Sequence, residues 1–245
     1  MPTRPPSHVR ARDLGIAPGR LASGPLNAIT DVPGVHVFQV TVRREPDLHT
    51  GVTAVVPEQL RERRSLPAGL FVGNGFGKLV GATQLVELGE IETPIVLTGT
   101  LSAFRAADAL VTHMLSLPGN EHMRSVNPVV GETNDGFLPD IRSRPITDRH
   151  VLDALEGAKG GPVEEGCVGA GTGTTALGFK AGMGTASRAI DIPEIRMSVS
   201  IGVLVQANFG GILRVLGVPR LSIRTGRACE PRACDRGQSV RSCGA

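Results

Sequence analysis

Apolar and polar residues alternate with a period of two over VHVFQVTVR (35–43), which predicts a half-buried strand. AGLFVGNG (68–75), GVTAVVP (51–57) and TPIVLTG (93–99) are short apolar runs and are expected to be further strands. The spacing lengthens to that of a helix in KLVGATQLVELGE (78–90), with a Gly near its end. It is clearest in SAFRAADALVTHMLSL (102–117), where Phe104, Ala107, Leu110, Val111 and Met114 fall on one stripe. NPVVGETNDG (127–136) reads as a short strand running into a polar loop. A further helix is expected from Thr147, its N-cap, to Gly157, which closes it. The run from Gly166 to Gly184 reads mostly as loop and close-packed backbone, although ALGFKAG within it is strand-like. RMSVSIGVLVQAN (196–208) alternates strongly and predicts a long strand, whereas the Pro- and Gly-rich residues 1–26 are expected to form an extended arm. Several strands follow one another without an intervening helix, which points to α+β layers.

The composition is that of a globular chain: 245 residues, 40 % hydrophobic and 20 % charged. Trp and Tyr are absent, so the chain lacks the aromatic stacking platforms of single-strand nucleic-acid binders. No apolar run approaches the roughly 20 residues of a membrane span. The N-terminal MPTRPPSHVRARDLG lacks the apolar core of a secretory signal, and the expected location is cytoplasmic. The net charge of +3 is uneven. Residues 219–245 hold six Arg against Glu230 and Asp235, so the remainder is close to neutral and presents no nucleic-acid-binding face. Cys229, Cys234 and Cys243 share that Arg-rich tail, without C-x-x-C spacing or a nearby His for zinc. Residues 1–218 are expected to form one domain and 219–245 a disordered tail.

Phosphate and dinucleotide motifs are only partly met. GNGFGK (73–78) has Leu79 where a Walker loop needs Ser or Thr, and Lys78 where G-x-G-x-x-G needs its third Gly. Gly171-x-Gly173-x-x-Ala176 has Asp191 about 20 residues on, but no apolar strand precedes it. A dinucleotide-dependent oxidoreductase rests on that match alone. The six His form no metal pair, there is no G-x-S-x-G elbow, and no metal or cofactor is expected. Two polar clusters remain. ETNDG (132–136) is either an Asx-type turn or a binding loop in which Glu132 holds a cationic group and Asn134 donates hydrogen bonds. Asn208 ends the long strand at VQAN, either as its terminator or as a donor to a developing oxyanion.

Together NAITDVPGV (27–35), GNGFG (73–77), ETNDG (132–136), GPVEEG…GTG…GFKAGMGTASR (161–188) and VLVQAN (203–208) resemble the P1-family (S58) peptidases. That family comprises the L-aminopeptidase/D-esterase and β-peptidyl aminopeptidase enzymes. The blocks occur in the family's order, and the resemblance runs from about Arg10 to Pro219. It implies an αββα four-layer sandwich, incomplete without a β chain, and a precursor that cleaves itself into α and β chains. The resemblance further implies an N-terminal Ser or Thr nucleophile on the β chain, acting through an acyl-enzyme on small peptides, amides or esters. By the same resemblance Asn208 is the oxyanion amide, Glu132 receives the substrate's amino group, and Asn134 lies where some members carry an oxyanion-binding Tyr.

The sequence departs from the family at its C-terminal end. It contains no Gly-Ser dipeptide, and Ser239 and Ser242 lie in the tail without the strand that follows the nucleophile in the family. The chain is therefore expected to be an α portion whose nucleophile is absent, working as a homo-oligomer of αβ units. The alternatives are a catalytically inactive truncated remnant and an ornithine acetyltransferase-like acyl transferase.

Overall fold

The computed structural model describes residues 9–61, 64–135 and 140–220. Strands β1 (Val35–Arg44) and β2 (Leu48–Pro57) form a long hairpin, followed by the one-turn helix α1 (Glu58–Arg61). The two-residue strands β3 (Leu66–Pro67) and β4 (Leu79–Val80) precede helix α2 (Ala82–Leu88) and strand β5 (Glu90–Ile91). Then come β6 (Ile95–Gly99), helix α3 (Ala103–Ser116), β7 (Val129–Thr133) and helix α4 (Asp148–Glu156). A minor hairpin, β8 (Thr175–Ala176) with β9 (Phe179–Lys180), leads to the long hairpin of β10 (Met183–Ile192) and β11 (Met197–Gln206). The pair β12 (Leu213–Val215) and β13 (Val218–Arg220) follows.

The main sheet has the order β1-β2-β6-β7-β4. β6 and β7 run parallel and the other pairs antiparallel. β2 lies inside the sheet and is buried along nearly its whole length. Its Val52, Ala54 and Val56 join Val96, Val130, Leu110, Met114, Val151 and Leu155 in the core between the sheet and helices α3 and α4. The alternate residues of β2 face the other way. Thr53 Oγ1 there accepts the amide of Ala170, at 3.1 Å, from the tight turn Gly169–Gly171. The sheet is thus covered by helices on one face and by the glycine-rich turn and the β10–β11 hairpin on the other.

Local sequence explains where expectation and structure part. Residues 68–75 are not a strand. Pairing stops at Pro67, and Phe71 and Phe76 stand 92 % and 76 % exposed in a loop. Glycines at 69, 73, 75 and 77 leave that stretch without the branched side chains that favour a pleated surface. The expected helix over 78–90 is shorter. Leu79–Val80 pairs with β7, and Gly81 in the left-handed region (φ +85°) turns the chain into α2. In α3 the buried stripe is centred on Ala103, Ala106, Ala107, Leu110 and Met114, while Phe104 is 66 % exposed. Small residues let that helix lie close against the sheet, so the largest apolar side chain is on its outer flank. The expected strands at 35–43, 51–57, 93–99 and 196–208 and the helix after Thr147 are all present. β10 already starts within the run expected to be loop, at Met183. Of the tail, Pro219 and Arg220 belong to β13; Cys229, Cys234, Cys243, Ser239 and Ser242 lie outside the described residues.

Candidate active site

The parallel pairing of β6 and β7 brings two strand ends to the same rim. Thr98 lies beside Glu132, and Gly99 beside Thr133. On the other side of β7, Leu79 pairs with Gly131, which sets Lys78 across from Glu132. Glu132 Oε1 accepts the Lys78 amide at 2.7 Å and faces Lys78 Nζ at 3.4 Å. That Nζ also donates to Thr100 Oγ1 at 2.6 Å. The Glu132 side chain is 4 % exposed and that of Lys78 40 %. A carboxylate withdrawn this far from water needs cationic or N–H partners to stay charged.

The β10–β11 hairpin delivers the amides. Asn208 Nδ2 donates to the backbone carbonyl of Asn134 at 2.8 Å, two residues beyond Glu132. Asn208 and the ETNDG segment, expected on separate strands, therefore meet at one rim. Gln206 Nε2 reaches Thr133 Oγ1 and Ala170 O, both at 2.8 Å, and Thr98 O at 3.4 Å. This side chain ties the hairpin to β6, β7 and the glycine-rich turn at once. Gly136 of ETNDG lies outside the described residues.

Asp135 is 2 % exposed and sits behind this rim. Its Oδ2 accepts from Thr50 Oγ1 at 2.6 Å, while buried Oδ1 has no partner among the described residues. Burial raises its pKa above the ordinary value. The Thr50 bond and its own backbone oppose that shift, and the negative charge of Glu132 adds to it. The cradle is closed by glycine. A Cβ on Gly99 would lie 2.6 Å from Asp135 Oδ2, and one on Gly173 2.7 Å from Asp135 Cβ. Gly99 at the end of β6 and Gly173 of the expected dinucleotide motif thus serve the close approach of backbone to a buried acid.

Both glycine-rich motifs turn several of their backbone amides inward. The amides of Gly169 and Ala170 donate to Thr41 and Thr53, and those of Gly171, Thr172 and Thr174 to carbonyls within the turn. In GNGFGK, the Phe76 amide goes to Asn74 Oδ1 and the Lys78 amide to Glu132. A phosphate site needs such N–H groups pointing outward. Among the described residues no group of three or more His, Cys, Asp or Glu is arranged to hold a metal. No helix among them is long and apolar enough to cross a membrane.

Of the residues at this rim, sequence reasoning singled out Glu132, Asn134 and Asn208. It gave no role to Gln206, Thr133 or Asp135, and treated Lys78 as a motif mismatch at the start of an expected helix. Lys78 gave no readable signal, because β4 is two residues long and the spacing over 78–90 is that of a helix.

The family model of peptidase family S58 matches residues 27–234. The chain belongs to that family. The S58 chain is 40 % identical, over 222 residues, to the β-peptidyl aminopeptidase BapA of Sphingosinicella microcystinivorans. That alignment covers 86 % of this chain and 54 % of the relative. BapA of Sphingosinicella xenopeptidilytica is 41 % identical over 220 residues, with 85 % and 54 % covered. The S58 chain therefore spans about half the length of these curated relatives. Among solved structures, a Burkholderia sp. β-aminopeptidase matches with a TM-score of 0.80 at 41 % identity, covering 85 % of this chain and 60 % of that one. The L-aminopeptidase D-Ala-esterase/amidase of Ochrobactrum anthropi matches with a TM-score of 0.78 at 39 % identity, covering 86 % and 61 %. It is described as a prototype for the serine aminopeptidases and a variant of the Ntn-hydrolase fold. The S58 chain has that same α+β architecture, as the resemblance implied.

Proposed function

We propose that this chain is the substrate-binding portion of an aminopeptidase that releases N-terminal residues from small peptides, amides or esters. Glu132 receives the substrate's ammonium, and Asn208, with Asn134, donates to the oxyanion of the tetrahedral intermediate. The nucleophile is an N-terminal Ser or Thr on polypeptide outside this sequence, formed by cleavage of a precursor and held in oligomeric αβ units in the cytoplasm. One observation carries this reading: a nearly buried carboxylate and a side-chain amide meet at one rim in an S58 chain.

The chemistry is self-consistent. A free α-amino group titrates at roughly 7.7–8.0 and can take the proton from its own hydroxyl, so no His is required. The hydroxyl oxygen attacks the scissile carbonyl, and its negative charge is received by amide donors already fixed in place. As the intermediate collapses, the α-ammonium returns that proton to the leaving amine or alcohol and an acyl-enzyme remains, which water then hydrolyses. The Asn208 amide carries two hydrogens; one is used on Asn134 O, which fixes the direction of the group.

The test is to co-fold the chain with the complementary C-terminal portion of an S58 relative and assay β-alanyl and L-alanyl p-nitroanilides. Turnover is expected, and Asn208→Ala should lower kcat by about 10²–10³. A well-folded complex without turnover, or one whose kcat is indifferent to Asn208, overturns the proposal.

A further inference from the structure

The mechanism above does not use Lys78, which sits at the amine-binding carboxylate. Its backbone N–H holds Glu132 Oε1 at 2.7 Å, so its ammonium, at 3.4 Å, is not needed to keep that carboxylate satisfied. Thr100 Oγ1 anchors the ammonium at 2.6 Å, and the side chain remains 40 % exposed. The result is a fixed pair of opposite charges at the rim, the anion withdrawn and the cation accessible. A substrate ammonium approaching Glu132 alone meets a like charge beside it, which disfavours binding. One that carries a carboxylate on the same carbon meets a complementary partner for each charge.

We propose that Lys78 makes the site selective for zwitterionic N-termini, in which the amine-bearing carbon also bears a carboxylate and the scissile carbonyl is one carbon further on. This is the chemistry of a β-linked aspartyl residue. The inference rests on the proposal that Glu132 receives the amine, and adds the residue that reads the neighbouring anion.

Two probes differ only in the carboxylate: L-asparagine is β-alaninamide with a carboxylate on its amine-bearing carbon. Isothermal titration of the full chain with each gives a preference ratio, compared among the wild type, Lys78→Met, Lys78→Arg, Glu132→Gln and the Lys78→Met/Glu132→Gln double variant. Circular dichroism checks that each is folded. The wild type is expected to bind L-asparagine about tenfold more tightly than β-alaninamide. Lys78→Met should erase or invert that ratio, and Lys78→Arg should keep it. Glu132→Gln should weaken both probes in either background. A ratio unchanged in Lys78→Met, with Glu132-dependent binding intact, overturns the role of Lys78 and leaves that of Glu132 standing. Binding that ignores Glu132, or no binding of either probe, overturns the Glu132 assignment and this inference with it.

Discussion

Asp135 is a buried carboxyl held by Thr50. Burial and the like charge of Glu132 nearby place its folded pKa above its ordinary value of 3.8, despite the opposing Thr50 and backbone bonds. A carboxyl shifted upward holds its proton more tightly in the fold than in the unfolded chain. Its contribution is therefore complete below the unfolded pKa and is lost as pH rises through the folded one. Asp135→Asn keeps an acceptor for Thr50 and cannot ionise. The variant's melting temperature is expected to gain on the wild type as pH is raised from 4 to 8; a constant difference across that range would contradict the assignment. Glu132 was legible because a carboxylate beside an amide is a recognisable chemical pair. The burial of Asp135 was not, because it depends on the absence of side chains at Gly99 and Gly173, far apart in sequence.

Among elements, α3 separates pattern from packing. Helical spacing identified its extent, yet it chose Phe104 for the core because hydrophobicity scales reward ring size and ignore the gap available. The helix approaches the sheet through alanines, and Leu110 is the large side chain that fits beneath it. Leu110→Ala is expected to cost about 2–5 kcal/mol in urea unfolding. Phe104→Ala, at an exposed site, should stay within about 0.5 kcal/mol. Comparable losses would mean that the outer flank of α3 is covered in solution. The long strands were legible because alternation over ten residues has one explanation, whereas β3, β4 and β5 are two residues each and leave no period to read. The GNGFGK loop misled for a related reason: its glycines signal backbone freedom without saying which partner the backbone approaches.

At the scale of the whole molecule, β11 is an open flank among the described residues. It pairs with β10 on one side, and Ile201, Val203 and Val205 stand about half exposed in a row. An apolar strand edge of this kind invites pairing with another chain. The relatives extend well beyond the matched region, and their additional length is the proposed occupant. Ile201→Lys with Val203→Lys should reduce self-association of the chain in sedimentation velocity and block rescue by the complementary portion of a relative. Unchanged rescue would place that portion elsewhere. Gln206, on the same strand, has a consequence for how such an assembly works. One amide nitrogen fastens the hairpin to Thr98, Thr133 and Ala170, so the spacing between acid and amide is fixed by covalent neighbours before any second piece arrives. Under the proposed function, an incoming segment would have only its own hydroxyl to align, and errors in its docking would alter how fast bonds break without altering which molecules are held.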